Sequence, residues 1–438
     1  MALFGYYFHN IMAFLRASGV LLHPTSLPGR FGIGDFGDEA YTFVDLLVAS
    51  GVRHWQVLPL NPTGYGDSPY QCFSTFAGNT LMISPRKMAD EGFLSDEEIG
   101  NIPEFGEGKV DFGGAFNLKS DLLPRAFARF RISKKEDLRG AYDAFCAENA
   151  GWLDDYALFQ ALREANGLKS WHEWDAPLAR RDENALTSAR EALGDEIYAQ
   201  KFYQFIFFKQ WNALRAYANE HGIGIIGDVP IYVSHNSADV WCNQSQFKLN
   251  RDGSPKVVAG VPPDFFSKTG QLWGNPIYNW DEMRKDGFHW WVERIRFIMK
   301  TVDIARIDHF RGFAGCWEVP GKNKTAEKGE WVDVPGHELF EAFNEKLGEL
   351  PFIAEDLGFM TPAVEALRDD FKFPGMRILL YGMGGDGKHN DLPHNYIRNC
   401  VAYTGTHDND TAMGWFQNQF DKRGNISETG AAALNYLN

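Results

Sequence analysis

Seven short apolar runs recur along the 438-residue chain, and each breaks off into polar or charged residues. They are GVLLHPTS (19–26), HWQVLPLNP (54–62), GIGIIGDVPIYV (222–233), VDIARIDHF (302–310), PFIAEDLG (351–358), GMRILLYG (375–382) and CVAYTGTHD (400–408). Near-continuous apolar runs of this length are the pattern of parallel strands covered on both faces. Helical patterns lie between them: DEAYTFVDLLVASG (38–51) starts acidic and stops at Gly51, and FYQFIFFKQWNALRAYANEHG (202–222) also ends at a glycine. Strands alternating with helices predict an α/β fold with a parallel sheet. The count leads to a (β/α)8 TIM barrel, which takes eight strands and about 250 residues. The excess falls between the second and third strands, where WLDDYALFQALREANG (152–167) is helical in pattern. The expected division is barrel strands 1–2 over 16–62, an inserted helical subdomain over 63–200, and barrel strands 3–7 over 201–438. On this reading strand 8, the last barrel unit, is missing from the chain, and the 438 residues are expected to be a fragment of a longer protein.

In a parallel barrel the C-terminal strand ends meet at one mouth, and catalytic groups come from several strands. Here those ends carry Asp228, then Arg306 with Asp308, then Glu355 with Asp356, then His407 with Asp408. A single Asp at such a point is ordinarily a helix cap. Four successive ends bearing carboxylates point instead to a shared site. Arg306 and Asp308 are two apart and so face the same side of their strand. A guanidinium beside a carboxylate favours the ionised form, so the Asp308 pKa is expected to be lowered. A second carboxyl in a less polar setting would keep its proton and act as acid. That pairing suits glycoside chemistry, with about 5–5.5 Å between the carboxyls if configuration is retained.

Composition narrows the partners. The net charge of −15 excludes a polyanionic ligand, because phosphate binding draws on clustered Lys and Arg. Nucleic acid and anionic membrane surfaces are not expected. Aromatic residues make up 15% of the chain, enough to fill a large core and also to offer stacking surfaces to flat ligands. The five cysteines are scattered without a C-x-x-C, so neither a zinc site nor a disulfide framework is expected, and a reducing, cytoplasmic setting is. The N-terminal MALFGYYFHNIMAFLRASG lacks a basic n-region and a long apolar core, and reads as neither signal peptide nor membrane span. GIGDFG (32–37) matches G-x-G-x-x-G but lies past its strand, and the second strand ends without an acidic residue. The 12 His show no metal-ligand spacing, so no metal site is expected.

Long ordered blocks carry a specific likeness. GVLLHPTSLPGRFGIGDFG, QVLPLNPTGYGDSPYQCFSTFAGN, GDVPIYV, VAGVPPDFFSKTGQLWGNPIYNW, ARIDHFRGF, IAEDLG and TGTHDND run from about residue 16 to 415. With them the chain resembles the 4-α-glucanotransferases (amylomaltase, or disproportionating enzyme), a branch of the α-amylase clan. The resemblance implies Asp308 as nucleophile with Arg306 supporting it, Glu355 as general acid/base, and Asp408 gripping hydroxyls of the donor sugar. It further implies that His407 binds the same sugar and that Asp228 lies behind the site. Tyr70 would be the platform under the donor, and Asp264, Gln271 and Trp273 would belong to a flap over bound glucan. The implied activity is retaining transfer of α-1,4-glucan segments between maltooligosaccharides, starch or glycogen-derived glucans, with no cofactor.

Two departures are visible. The first 15 residues have no counterpart in the resemblance, and the Q-D-x-L-G strand and later Asn-Pro-Gly segment that it implies are not found. Two alternatives therefore stay open from sequence: an α-amylase-like hydrolase using water as acceptor, and a non-catalytic glucan-binding protein.

Overall fold

The computed structural model describes residues 15–437 apart from 107, 265–266 and 359. Most of the N-terminal stretch read as neither signal peptide nor membrane span thus lies outside the described residues. Among the described residues no helix is long and apolar enough to cross a membrane.

In chain order the strands are β1 Gly19–Leu21, β2 His54–Gln56, β3 Gly224–Val229, β4 Val257–Val261, β5 Gln271–Pro276, β6 Ile304–Ile307, β7 Gly315–Pro320, β8 Glu330–Asp333, β9 Phe352–Ala354, β10 Gly375–Ile378 and β11 Cys400–Tyr403. The longer helices are α1 Asp38–Ala49, α2 Phe112–Ile132, α3 Glu136–Ala165, α4 Gly194–Glu220, α5 His289–Thr301, α6 Gly336–Leu347 and α7 Pro362–Asp370. Each of the seven apolar runs holds one parallel strand. Five form a sheet in the order β1-β2-β3-β6-β9, and β10 pairs with β11. The Ala354 N–H donates to the Pro374 carbonyl at 2.9 Å, which brings the start of β10 against β9.

Side chains from alternate positions fill the space inside this curved wall. Ile226, Ile304, Ile353 and Met376 form a buried apolar cluster, with Val401 and Tyr403 packed against it. Helices cover the outside. In α1, Asp38 and Glu39 sit in the first turn, where they complement the helix dipole, and Ala40, Val44 and Leu47 make its buried face. The Trp211 indole of α4 donates to the Thr301 carbonyl at the end of α5 at 2.9 Å, tying two covering helices together.

Helices α2, α3 and the first half of α4 form the bulk inserted between β2 and β3. Their aromatic content is core: Phe130 stacks on Phe202 at 4.6 Å, with Phe127, Tyr142 and Tyr198 packed around them. Helix α4 runs unbroken through position 200. Its later part belongs to the barrel, where Arg215 pairs at 2.5 Å with Asp303, the residue before β6. The GIGDFG segment is a loop leading into α1. Its Asp35 accepts the Gly37 N–H at 2.9 Å and faces the buried Lys119 ammonium at 3.4 Å.

A second sheet, antiparallel and ordered β5-β4-β7-β8, was not legible in the apolar pattern. Its strands VVAGV, QLWGNP, GCWEVP and EWVD contain Gly, Pro and charges, and none reads as a parallel core strand. They pair only because the turns between β3 and β6 and after β6 bring them together. Gln271 and Trp273 lie on β5 of this sheet, and Asp264 follows β4.

Candidate active site

Parallel register places the mouth residues side by side. Asp228 lies opposite Arg306, and Ile307 lies opposite Ala354, so Asp308 and Glu355 occupy the next positions on neighbouring strands. The Asp308 N–H still donates to Val229 at 3.0 Å, and the Glu355 N–H to Ile307 at 3.0 Å. Both carboxyl-bearing residues are therefore fixed by the backbone of the wall.

Arg306 joins the carboxylates. Its Nη1 donates to both oxygens of Asp228, at 2.7 and 2.8 Å, and to Oδ1 of Asp308 at 2.9 Å. Its Nε donates to the Met376 thioether at 3.3 Å. Arg306 and Asp228 are buried, whereas the Asp308 side chain is 28% exposed and opens to the mouth. Beneath this layer the Tyr403 hydroxyl donates to Gln56 Oε1 at 2.7 Å, linking β11 to β2.

Tyr70 arrives from the loop after β2. Its hydroxyl donates to Asp228 Oδ2 at 2.7 Å and lies 2.7 Å from His407 Nε2, with the two rings nearly parallel. Burial, with the charges of Asp228 and Asp308, raises the Tyr70 hydroxyl well above its ordinary range. His407 Nε2 is in turn 3.3 Å from Asp408 Oδ1, and the Asp408 side chain is 58% exposed. Asp228, Arg306, Asp308, Tyr70, His407 and Asp408 thus form one connected chain of contacts.

Two backbone donors hold Glu355. The His309 N–H donates to Oε2 at 2.7 Å and the Leu357 N–H to Oε1 at 3.2 Å. Desolvation and the neighbouring Asp308 charge nevertheless push Glu355 up to about 8, against the opposing pull of Arg306 and of these hydrogen bonds. Asp308 departs from the sequence expectation of a lowered pKa. Desolvation is the largest influence and, with Asp228 and Asp408, it outweighs Arg306 and pushes Asp308 up to about 6. The direction is wrong in the sequence reading because it weighed the guanidinium and not the burial that the folded chain imposes on Asp308, nor the repulsion from Asp228.

Asp356 is not a mouth residue. It is buried and accepts from Arg368 Nη1 at 2.6 Å and from the Met376 N–H at 2.6 Å. A Cβ on Gly375 would lie 2.3 Å from Asp356 Oδ2, so only glycine lets β10 approach this carboxylate. Asp356 therefore locks β9 to β10, and the alternation of side chains along the strand sends it outward as Glu355 points in.

On the antiparallel sheet, Trp273 packs edge-on against His309 with ring centroids 4.7 Å apart, and its indole donates to Gln271 Oε1 at 3.2 Å. The Asp264 carboxylate accepts the Ser267 N–H at 2.7 Å, closing the turn of its own exposed loop. Sequence reasoning missed two histidines. His23, after β1, is buried within the field of His407, and burial drives it down to about 3. His309 adopts a left-handed conformation at φ 50 beside the acidic pair. Neither has a spacing signal, since each meets its neighbours only in the folded chain. No cluster of three or more His, Cys, Asp or Glu with metal-holding geometry occurs among the described residues.

Two carboxylates on adjacent strands, one bridged to a guanidinium and one on backbone donors, are suited to splitting the roles of nucleophile and acid. Comparison with known proteins gives the family. The model of glycoside hydrolase family 77, described as 4-alpha-glucanotransferase, matches residues 22–437. A 4-alpha-glucanotransferase of Synechocystis sp. is 49% identical over 405 residues, covering 92% of this chain and 80% of its own length. That of Thermus thermophilus is likewise 49% identical over 405 residues, with the same coverage. Among solved structures, amylomaltase from Streptococcus agalactiae in complex with acarbose superposes with a TM-score of 0.91 at 46% identity, over 97% of this chain and 84% of that one. Amylomaltase from Corynebacterium glutamicum, 19% identical, shares the fold with a TM-score of 0.75 over 94% of this chain and 57% of its own. The family match spans every residue of the mouth from Tyr70 to Asp408, and the chain belongs to glycoside hydrolase family 77, the 4-alpha-glucanotransferases.

Proposed function

We propose that this 4-alpha-glucanotransferase moves α-1,4-glucan segments from one maltooligosaccharide to the 4-hydroxyl of another, or of glucose, by double displacement through Asp308 and Glu355. Asp308 attacks the anomeric carbon while Glu355 protonates the departing glycosidic oxygen, leaving a glycosyl ester on Asp308. Glu355, now ionised, takes the proton of the incoming 4-hydroxyl, and that oxygen displaces Asp308. Two inversions retain the configuration. Tyr70, His407 and Asp408 would hold the donor sugar, and Asp228 would keep Arg306 against the nucleophile. Asp264, Gln271 and Trp273 would cover the glucan and limit access of water. Maltooligosaccharides and starch- or glycogen-derived glucans are the proposed substrates, and no step in this scheme calls on a cofactor.

The observation that carries the reading is the adjacency of Asp308, bridged by Arg306 to Asp228, and Glu355, gripped by two N–H donors. Maltotriose as sole substrate tests it. Transfer yields glucose together with oligomers longer than maltotriose; products that are all shorter than maltotriose would mean hydrolysis.

The proton states set the pH dependence. Asp308 must be ionised to attack and Glu355 protonated to donate. With Asp308 near 6 and Glu355 near 8, kcat/KM on maltotriose should fall as pH drops below about 6 and again as it rises above about 8. A flat profile between pH 4 and 10 would be incompatible with this division of roles.

A further inference from the structure

The residue that follows the nucleophile has an unusual backbone. His309 sits at φ 50, ψ 49, a left-handed conformation uncommon outside glycine. The consequence is visible in the hydrogen bonds on either side of it. The Asp308 N–H still points along the sheet to Val229 at 3.0 Å. One residue later the chain has turned, so that the His309 N–H meets Glu355 Oε2 at 2.7 Å and the Phe310 N–H meets the Glu355 carbonyl at 3.2 Å. The imidazole packs edge-on against Trp273, with ring centroids 4.7 Å apart, and the Tyr232 ring lies 6.4 Å away beside Trp273. Gly312 leaves room for the ring, since a Cβ there would stand 3.1 Å from His309 Cδ2. Backbone outliers of this kind persist only where the surroundings over-determine them, and they concentrate at functional sites.

We propose that His309 is a positioning residue whose left-handed turn aims its backbone N–H at the carboxylate of the acid/base Glu355, fixing the orientation and the proton affinity of that group. The proposal rests on the reading of Glu355 as acid/base. Other charged or titratable groups also act on Glu355: Asp308 and Arg306 from β6, and Tyr381 from the segment after β10. The imidazole itself adds no charge, because burial and the nearby Arg311 drive His309 down to about 3. The N–H donor stabilises the ionised carboxylate, so its loss raises the pKa of Glu355. The sign follows: without the turn, the alkaline limb of activity moves to higher pH.

The test is the pH profile of kcat/KM on maltotriose for three variants, with α-maltotriosyl fluoride as a second substrate whose leaving group needs no proton. Alanine resists the left-handed region, whereas glycine and asparagine accept it. His309→Ala should shift the alkaline limb upward by about half a pH unit or more and lose about tenfold on maltotriose, but less than about threefold on the fluoride. His309→Gly and His309→Asn should keep the limb near its wild-type position. An unmoved limb in His309→Ala, equal losses on both substrates, or an equal shift in the Gly and Asn variants would each overturn the proposal. Should His309→Ala not fold, the Gly and Asn variants decide, and a limb shifted in both overturns it. Glu355→Gln separates the two readings. A lost alkaline limb in that variant beside an unmoved one in His309→Ala would sink the His309 role alone. An intact limb in Glu355→Gln would sink the assignment of Glu355.

Discussion

Asp308→Asn should abolish maltotriose disproportionation, with kcat falling about 10⁵-fold, while the dissociation constant for a maltooligosaccharide changes by no more than about threefold. The carboxylate is needed to form the glycosyl ester, and an amide cannot supply it. Amide and carboxylate have nearly the same volume, so donor contacts with Tyr70, His407 and Asp408 survive. Asp228 still neutralises Arg306 through both of its oxygens, at 2.7 and 2.8 Å, so the variant does not strand a buried cation. In the proposed scheme Asp308 acts on the transition state, so losing it should appear in kcat with little change in binding. Isothermal calorimetry with maltoheptaose and a discontinuous glucose assay give the two readings. Turnover within tenfold of wild type would remove Asp308 from its role.

Arg306→Lys should also be damaging, by a smaller factor, although it keeps the charge. The guanidinium touches three neighbours at once: Asp228, Asp308 and the Met376 thioether. A lysine ammonium is a point charge on a flexible stem and lacks the rigid fork that spans them. Leaving one carboxylate of a buried pair unmatched costs about 3–5 kcal/mol. If half of that, about 1.5–2.5 kcal/mol, falls on the transition state, kcat drops by about 10- to 70-fold. The acid limb of the pH profile should also move upward, because Arg306 is the group that pulls Asp308 down against its burial. The thermal midpoint should fall too. Wild-type kcat with an unchanged acid limb would reduce Arg306 to a replaceable surface-like charge.

The sequence by itself determined the scaffold. Each of the seven apolar runs contains a parallel strand, because unbroken hydrophobicity over 4–8 residues is tolerated only where both faces are covered. The aromatic surplus was legible only in number; one cluster fills the core between α2, α3 and α4, and another, around Trp291, Phe313, Phe340 and Phe373, packs beneath α5 and α6. That charges would gather at one end was legible as well: parallel strands bring their C-terminal ends together, and a charge there is costly unless it is paired or solvated.

Tertiary structure decided what depends on distance and on sharing. Asp356, one position from Glu355, faces Arg368 and β10 instead of the mouth, which strand alternation permits but the sequence did not assign. The antiparallel sheet bearing Gln271 and Trp273 is held by pairing between segments up to about sixty residues apart, and its Gly- and Pro-containing strands carry no apolar signature. The proton affinity of Asp308 turned on its burial first, and then on the charges of Arg306, Asp228 and Asp408 around it, none of which neighbouring letters can express. His309 shows the same limit most directly. Its left-handed turn and its bond to Glu355 exist because β6 and β9 lie side by side, and nothing in the letters of ARIDHFRGF encodes a partner forty-six residues away.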